Sequence, residues 1–551
     1  LSANLEKHKQ LFELKQDISR APEDVAPGDP GGPEPPEDMK DATVIVVANR
    51  LPVQGSWDKD GKLQLKDSAG GLVTALQGVK GLNILRIGWF DLAVPVEEQA
   101  AVTEQLYDQF KAIPVFLEEE LVDKYYNGFC NDVLWPLFHY VPLPMYKAGS
   151  EKKFDQALWE AYKLANVRFA EVVSRFYNEG DYVWVHDYHL MSFPTELRKR
   201  HPNCRIGWFL HTPFPSSEIY RILPVRKPLL EGLLSADLVG FHTYDYARHF
   251  LSACSRVLEV ECTPRGVEYG NRFMTLGVFP IGIDPGHVAA TMKLDRVQRR
   301  IKELTEKSFR GRKILLGVDR LDYIKGMPHK LLGFELFLTR HPEWRGKVTL
   351  IQATPNPPKT KQVGVPSRVD VPEYKALANQ INELVGRIKG KWGTLEYSPV
   401  HYINRSIGQE ELFAIYNVAD VCLVTSVRDG MNLVSHEYVA AQHEPRAPDL
   451  DLPARDGPGV LVLSEFAGSA QSLSGALRVN PWNTEELAKT IHMALTLTPL
   501  ERELRQAKLY RYVMKHTANF WAKSFMQEFS MVCNNSTRSS DKLPPLPLSE
   551  V

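Results

Sequence analysis

The sequence predicts an α/β protein built from two doubly wound, mostly parallel sheets with a cleft between them. Three observations carry this. Short apolar, β-rich runs alternate with helical patterns, which implies parallel sheets with helices on both faces. The runs fall into two series separated near Gly282–Pro285. Polar residues and glycines gather just past the carboxyl ends of the strands, where open α/β sheets bind ligands.

Residues 1–20 pattern as one short amphipathic helix, and residues 21–40, APEDVAPGDPGGPEPPEDMK, are too rich in Pro, Gly and acid to bury a face. The first strand series is TVIVVA (43–48), VWVH (183–186), IGWFL (206–210), LVGF (238–241) and MTLGVF (274–279). Leu158, Ala161, Ala165, Val172 and Phe176 recur at the 3.6-residue period and predict a helix over 155–177. The second series is KILLGV (313–318), KVTLIQ (347–352), DVCLVT (420–425) and GVLVLS (459–464). The polar, Pro-rich stretch 536–551 reads as a disordered tail or a linker, and no repeat of solenoid spacing occurs.

The 551 residues, 44% apolar and 24% charged, suit a soluble protein of two to four domains. A formal net charge of −1 excludes a global basic field for nucleic acid or an anionic membrane. No run reaches the roughly 18 apolar residues of a membrane span, and the charged first twenty residues lack a signal core. The six cysteines show neither CxxC nor zinc-knuckle spacing, so they read as reduced thiols of a cytoplasmic protein, with Cys422 buried in its strand. The missing initiator Met suggests a fragment or a processed chain.

The most informative stretch is DVCLVTSVRDGMNLVSHEYVAAQ (420–442). A strand runs into a turn holding Arg428, Asp429 and Gly430, and a helix carrying Glu437 follows. Asp429 suits sugar hydroxyls, the backbone through Met431, Asn432, Leu433 and Val434 suits phosphate oxygens, and Glu437 suits a ribose diol. Standing alone, an Asp-Gly pair is a loop with a helix cap. GVDRLDYIKGMPHKLLGFELFL (317–338) repeats the layout with Arg320, Asp322, Lys325 and Gly326. Arg320 and Lys325 can neutralise a diphosphate leaving group without a metal. The plainer alternative pairs them with Asp319 or Asp322 on the surface. Neither a Walker A loop nor a GxGxxG turn occurs.

In the amino-terminal half, Asn49 and Arg50 end the first strand, and Gly70 and Gly71 open a helix pattern. Tyr126, Trp135, Phe138, His139 and Tyr140 suit a sugar face or a core patch equally. His186, Asp187 and His189 in VHDYHL lack a third metal ligand, so no metal is expected. His211 in FLHTPFP ends another strand; a lone His of this kind is usually buried or capping.

These residues resemble the trehalose-6-phosphate synthase family over about 43–535. The matching stretches are ANRLPV, AGGLVTAL, YYNGF…LWPLFHY, VHDYHL, FLHTPFPSSEIYR, GFHTYDYARHFLSAC, FPIGID, GVDRLDYIKG, VPSR, NRSI and RDGMNLVSHEYVAAQ, in one order along the chain. The resemblance implies a retaining glucosyltransferase with two Rossmann-like domains facing across a cleft (GT-B), moving glucose from UDP-glucose to glucose 6-phosphate. It places a helix and linker at 1–40, an acceptor domain at 41–284, a nucleotide-sugar domain at 285–512, a returning helix at 513–535 and a tail at 536–551. It implies that Arg50, Tyr126, Trp135 and Arg368 hold the acceptor phosphate, and that Trp89 and Asp187 line the acceptor sugar pocket. His211 and Asp429 would hold donor glucose hydroxyls. Gly71, Arg320 and Lys325 would meet the diphosphate, with help from the Met431–Val434 backbone, and Glu437 would take the ribose.

Two features depart from the family pattern. Phe90 and Asp91 follow Trp89 where a small residue or Pro and then Gly are usual, and HEPRAPDLDLPARDGPG (443–459) replaces a short connection, which reads as a surface insertion. The implied partners are the two substrates, with no nucleic acid, no membrane and no cofactor. A homo-oligomer and a downstream phosphatase-like domain or partner phosphatase stay open. With no obvious carboxylate nucleophile, retention implies front-face attack, in which the departing phosphate oxygen takes the acceptor proton. Two rivals remain: a sister transferase with another acceptor such as glycerol 3-phosphate, and a non-catalytic sugar-phosphate sensor. The sensor would be marked by loss of Arg320, Lys325, Asp429 or Glu437, and all four are present.

Overall fold

The computed structural model describes residues 34, 36–39, 42–67, 81–141, 154–354, 372–405, 407–448, 452 and 455–539. The predicted helix at 1–20, most of the 21–40 linker, the tail from 540, Gly71 and Arg368 lie outside the described residues. The chain forms two compact units. Over the described residues, the first comprises everything up to Ile281 plus the helix from Ala518, and the second runs from Gly282 to Thr517.

The strands of the first unit are β1 (Thr43–Arg50), β2 (Val53–Trp57), β3 (Leu63–Asp67), β4 (Asn83–Trp89), β5 (Ala112–Val115), β6 (Tyr182–His186), β7 (Arg205–Phe209), β8 (Leu238–Phe241), β9 (Cys262–Thr263), β10 (Gly266–Tyr269) and β11 (Arg272–Val278). Nine of them form one sheet in the order β5-β4-β1-β6-β7-β8-β11-β10-β9, and β2 and β3 pair separately as a hairpin. The sheet is parallel from β5 to β11, and β10 and β9 add an antiparallel edge. Every residue of β6 is buried, as expected for a central parallel strand covered on both faces.

The second unit holds β12 (Lys313–Val318), β13 (Val348–Ala353), β14 (Val400–Ile403), β15 (Val421–Val424), β16 (Val460–Ser464) and β17 (Leu477–Val479). They form an all-parallel sheet in the order β14-β13-β12-β15-β16-β17. One apolar cluster on this sheet includes Leu316, Tyr438 and Leu463, and the other includes Leu315, Phe334 and Ile491, so helices cover both faces.

Setting aside the antiparallel edge of the first sheet, the winding direction reverses once in each, between β1 and β6 in the first and between β12 and β15 in the second. Such a switch point opens a crevice at the carboxyl ends of the two strands, because their following loops diverge. In one unit β1 ends on Asn49 and Arg50 and the other loop begins at Asp187; in the other unit the loops begin at Asp319 and Thr425.

The helix Ala518–Ser539 packs on the first sheet. The Trp521 and Phe525 rings each lie 5.0 Å from Trp184, and Phe529 lies 5.1 Å from Tyr182. A Cβ at Gly207 or Gly240 would stand 2.9 Å from Phe525, so the close approach of helix and sheet requires glycine at both positions. Asp38 clasps this helix to the sheet by accepting hydrogen bonds from Tyr182 (2.5 Å), Ser530 (2.8 Å) and Asn534 (3.1 Å).

One expectation needs correction and another gains detail. The helix predicted over 155–177 spans Gln156–Phe176, and Ala161 and Ala165 are buried as the period implies, but the large side chains of its buried stripe are Trp159, Tyr162, Phe169 and Val173. Leu158 and Val172 are half-buried and Phe176 is exposed, because the large aromatics claim the core face. The described residues of the 443–459 insertion are exposed or half-buried before Gly459, and two of its arginines tie it to the unit beneath. Arg446 donates to the Asn417 side chain at 3.0 Å, and Arg455 donates to Gln442 at 2.8 Å. Burial pushes the Arg446 guanidinium down to about 10.

Candidate active site

In the second unit, the loops after β12 and β15 are stitched together before any ligand is considered. Val427 N–H donates to the Ile324 carbonyl at 2.8 Å, and the Thr425 hydroxyl donates to the Gly326 carbonyl at 3.2 Å. Gly326 has φ of +63°, and a Cβ there would stand 2.0 Å from the Thr425 carbonyl oxygen, so only glycine fits. Pro328 then sits in the first turn of the helix Met327–Arg340, where its missing N–H costs nothing.

This scaffold brings together residues 104 positions apart: Lys325 Nζ donates to Asp429 Oδ2 at 2.7 Å. The same carboxylate oxygen accepts from Ser426 Oγ (3.1 Å) and Asn432 Nδ2 (3.2 Å). The backbone of Asp429 is pinned to Phe466 and Gly468, each at 3.2 Å. Asn432 also caps the helix Leu433–His443 by accepting from Ser435 N–H, so the Met431–Val434 backbone forms the anion-favouring start of that helix. Glu437 lies one turn further on. Tyr416 donates to it at 3.1 Å, yet burial dominates and pushes its carboxyl up to about 7. Arg320 lies 3.9 Å from Asp322 and its side chain is 54% exposed, which leaves it open to solvent. The plain surface alternative holds for Arg320, which faces Asp322, but not for Lys325: Asp319 is taken by Lys330 and Lys325 by Asp429.

In the first unit the switch-point loops carry a second cluster. The Arg50 guanidinium lies 4.7 Å from the Trp89 ring and 4.8 Å from the Tyr126 ring, an arrangement that orients a cation by its attraction to π faces. Its Nη1 also donates to Asp91 Oδ2 at 2.7 Å. Tyr126 belongs to Asp123–Leu134, which winds as a π-helix, a rare geometry that recurs at functional sites. Its ring stacks 5.8 Å from His189, which stacks 4.0 Å from Tyr188, and Tyr188 lies 6.1 Å from Trp135. Arg50, Trp89, Tyr126 and Trp135 are thus joined by one aromatic chain.

Asp187 continues that chain, with Oδ2 3.8 Å from His189 Nδ1. Its backbone is at φ +75°, ψ 169°, a region otherwise populated by glycine that costs about 1–3 kcal/mol. The strain turns the carboxylate back to accept His211 N–H at 3.2 Å. Burial outweighs such bonds and raises the Asp187 carboxyl to about 7. His211 Nε2 lies 3.0 Å from His186 Nδ1, and burial lowers the pKa of both rings, His186 to about 3. Both are neutral at physiological pH, so His211 serves as a hydrogen-bonding group and not as a cation.

Gly71 and Arg368 lie outside the described residues. Among the described residues, one His/Glu group has metal-ligand spacing: His341, Glu343 and His492, with ligand atoms within 4.8 Å of one another. It lies past the carboxyl end of the Met327–Arg340 helix, whereas Lys325 precedes the other end. Motif reading missed Ser426 and Tyr416, which hold Asp429 and Glu437, and gave His189 no role, whereas it is a stacking partner of Tyr126.

Two mostly parallel sheets, each with charged and polar side chains at its switch point, define a doubly wound α/β protein with the crevices in which such folds place ligands. The chain belongs to glycosyltransferase family 20, whose model matches residues 42–531. It is 50% identical over 494 residues to the UDP-forming alpha,alpha-trehalose-phosphate synthase of Schizosaccharomyces pombe, covering 89% of this chain and 90% of that protein. A solved E. coli structure bound with UDP-2-fluoro glucose is similar at a TM-score of 0.74 and 33% identity, covering 89% of this chain and 99% of that one. The N-terminal domain of a Candida albicans trehalose-6-phosphate phosphatase is similar at a TM-score of 0.78 and 31% identity, over 91% of this chain and 100% of that one.

Proposed function

We propose that this chain is a UDP-forming trehalose-6-phosphate synthase, transferring glucose from UDP-glucose to glucose 6-phosphate with retention of configuration. The observation that carries this is the Lys325–Asp429 pair at the start of a helix that also presents Glu437. One loop system thereby offers a cation to a diphosphate, a carboxylate to sugar hydroxyls and a second carboxylate to a ribose. The S. pombe relative's name supports the donor, and it also supports a phosphorylated acceptor. UDP leaves with both donor phosphates, so the phosphate of a trehalose-phosphate product arrives on the acceptor.

In this reading Arg320 and Lys325 stabilise the charge that develops on the departing diphosphate, with Gly71 and the Met431–Val434 backbone assisting. Asp429 and His211 orient the donor glucose. Arg50, Tyr126, Trp135 and Arg368 bind the acceptor phosphate, and Trp89 and Asp187 bind the acceptor sugar. The acceptor hydroxyl attacks the anomeric carbon on the leaving-group side. The bond from that carbon to the phosphate oxygen breaks, and this oxygen takes the hydroxyl proton. The protein's contribution is positioning and charge stabilisation. The likeness to a phosphatase's N-terminal domain is a likeness of architecture, and architecture alone does not select a chemistry. Retained Arg320, Lys325, Asp429 and Glu437 favour a catalyst over a sensor.

The test is UDP release by purified protein given UDP-glucose and a panel of phosphorylated acceptors. Turnover with glucose 6-phosphate well above that with glycerol 3-phosphate supports the reading. Equal turnover with both, or none, would overturn it.

A further inference from the structure

Asp91 follows β4 by two residues, and its carboxylate accepts from Arg50 Nη1 at 2.7 Å. The Trp89 and Tyr126 rings fix where the guanidinium lies, but they leave its N–H edge to be filled by an anion. Asp91 fills part of that edge. Resting on the assignment of Arg50 to the acceptor phosphate, we propose that Asp91 is a built-in competitor for that phosphate: the acceptor binds by exchange with the Asp91 carboxylate, and Asp91 thereby sets the concentration range over which the enzyme responds to its phosphorylated acceptor.

The chemistry of the exchange is direct. Carboxylate and phosphate both present paired oxygens to the planar fork of a guanidinium, so each satisfies the donors that the other would use. The side chains of Arg50 and Asp91 are 42% and 28% exposed, and an ion pair this open is weak enough to be exchanged. The backbone stays fixed while the carboxylate moves. Phe90 is buried, its N–H donates to the Val115 carbonyl at 3.3 Å, and Leu51 N–H donates to the Trp89 carbonyl at 3.0 Å. Asp91 is therefore a short arm on an anchored strand end. If the arm stays in place when the phosphate arrives, two anions crowd one cation and repel. If it swings away, the Arg50 pair is lost. In both cases the cost falls on a phosphorylated acceptor and on inorganic phosphate, and spares an unphosphorylated sugar.

The experiment measures initial rates of UDP release for the parent, Asp91→Asn, Arg50→Ala and the double variant. Asp91→Asn keeps the side chain's shape and removes its charge. It is expected to lower the Michaelis constant for glucose 6-phosphate by about three- to tenfold, the scale of an exposed pair plus like-charge repulsion. Inhibition by inorganic phosphate should tighten by a similar factor, while the Michaelis constant for UDP-glucose and the rate with unphosphorylated glucose stay put. On the Arg50→Ala background the same substitution should have a clearly smaller effect, since the competition for the guanidinium is gone and only the repulsion between Asp91 and the phosphate remains. If Arg50→Ala weakens the acceptor but Asp91→Asn leaves the constant unchanged or raises it, Asp91 is inert or a positioning group for Arg50, and the competitor role is wrong. If Arg50→Ala leaves the acceptor constant unchanged, the assignment of Arg50 itself fails and the proposal falls with it.

Discussion

The two switch-point clusters solve the problem of holding charge in opposite ways. In the second unit two Lys–Asp pairs are sheltered and matched, beside an open Arg320: Lys325 and Asp429 side chains are 13% and 11% exposed, and Lys330 and Asp319 are sealed at 0% and 2%. In the first unit Arg50 stands open to solvent, held by ring faces and a single carboxylate. Buried pairs make a rigid, preorganised site, but each partner depends on the other for its solvation. An open cation on an aromatic rest can lose its partner without harm to the fold. Damage to the second unit should therefore spread into stability, and damage to the first should stay local to binding.

The sharpest way to break this contrast is Lys330→Met. Lys330 touches no proposed substrate position, yet it donates to Asp319 (2.5 Å) and Gln352 (3.1 Å). Leaving the Asp319 carboxylate buried without its cation, with only the Gln352 amide still donating to it at 3.1 Å, should cost about 3–5 kcal/mol, seen as a large fall in the thermal midpoint. A variant with a parental melting curve would show that the sheltered pairs are not structural.

Next come Lys325→Ala and Arg320→Ala. Each should lower turnover by about 10²-fold or more, the scale of one transition-state charge contact. Only Lys325→Ala should also lower the melting temperature, because it strands Asp429, whereas Arg320 is exposed and its loss should change stability by about 0.5 kcal/mol or less. Equal thermal effects of the two would erase the distinction. In the first unit, Arg50→Ala should raise the acceptor's Michaelis constant by roughly 10- to 150-fold, the equivalent of one charge-assisted bond of about 1.5–3 kcal/mol, with a parental melting curve.

The smallest effect is a pH dependence at Glu437, whose carboxyl is raised from its ordinary 4.5 to about 7 by burial. The fold favours the neutral acid, so that contribution to stability is complete below about pH 4.5 and gone once pH passes about 7. The ionised form is the one that accepts ribose hydroxyls most strongly, so donor affinity should rise as pH climbs through about 7. Glu437→Gln should flatten the profile and weaken the donor by about five- to tenfold at high pH. A parental profile in the Gln variant would assign the titration elsewhere.

Much of the fold was legible because central parallel strands are continuous apolar runs, as in VWVH, DVCLVT and GVLVLS. The strands that escaped notice sit toward the sheet edges or break that pattern: β4 carries Arg86, β5 carries Pro114, and β14 is VHYI. Their identity comes from neighbours in space, which a local window does not contain. The site was legible wherever polar residues follow a strand, since the strand end marks the crevice. It was not legible in the pairings. Lys325 and Asp429 are 104 residues apart, Arg50 and Asp91 are 41 apart, and the positive φ of Asp187 leaves no mark on composition.

The most direct test of the central claim is a proton NMR time course of the purified chain with UDP-glucose and glucose 6-phosphate in excess EDTA. The account predicts stoichiometric UDP and a single α,α-linked disaccharide phosphate, formed at a rate unaffected by the chelator, because Arg320 and Lys325 supply the leaving-group charge. A β-linked product, release of free glucose in place of a disaccharide, or activity lost in EDTA and restored by one divalent ion would contradict it.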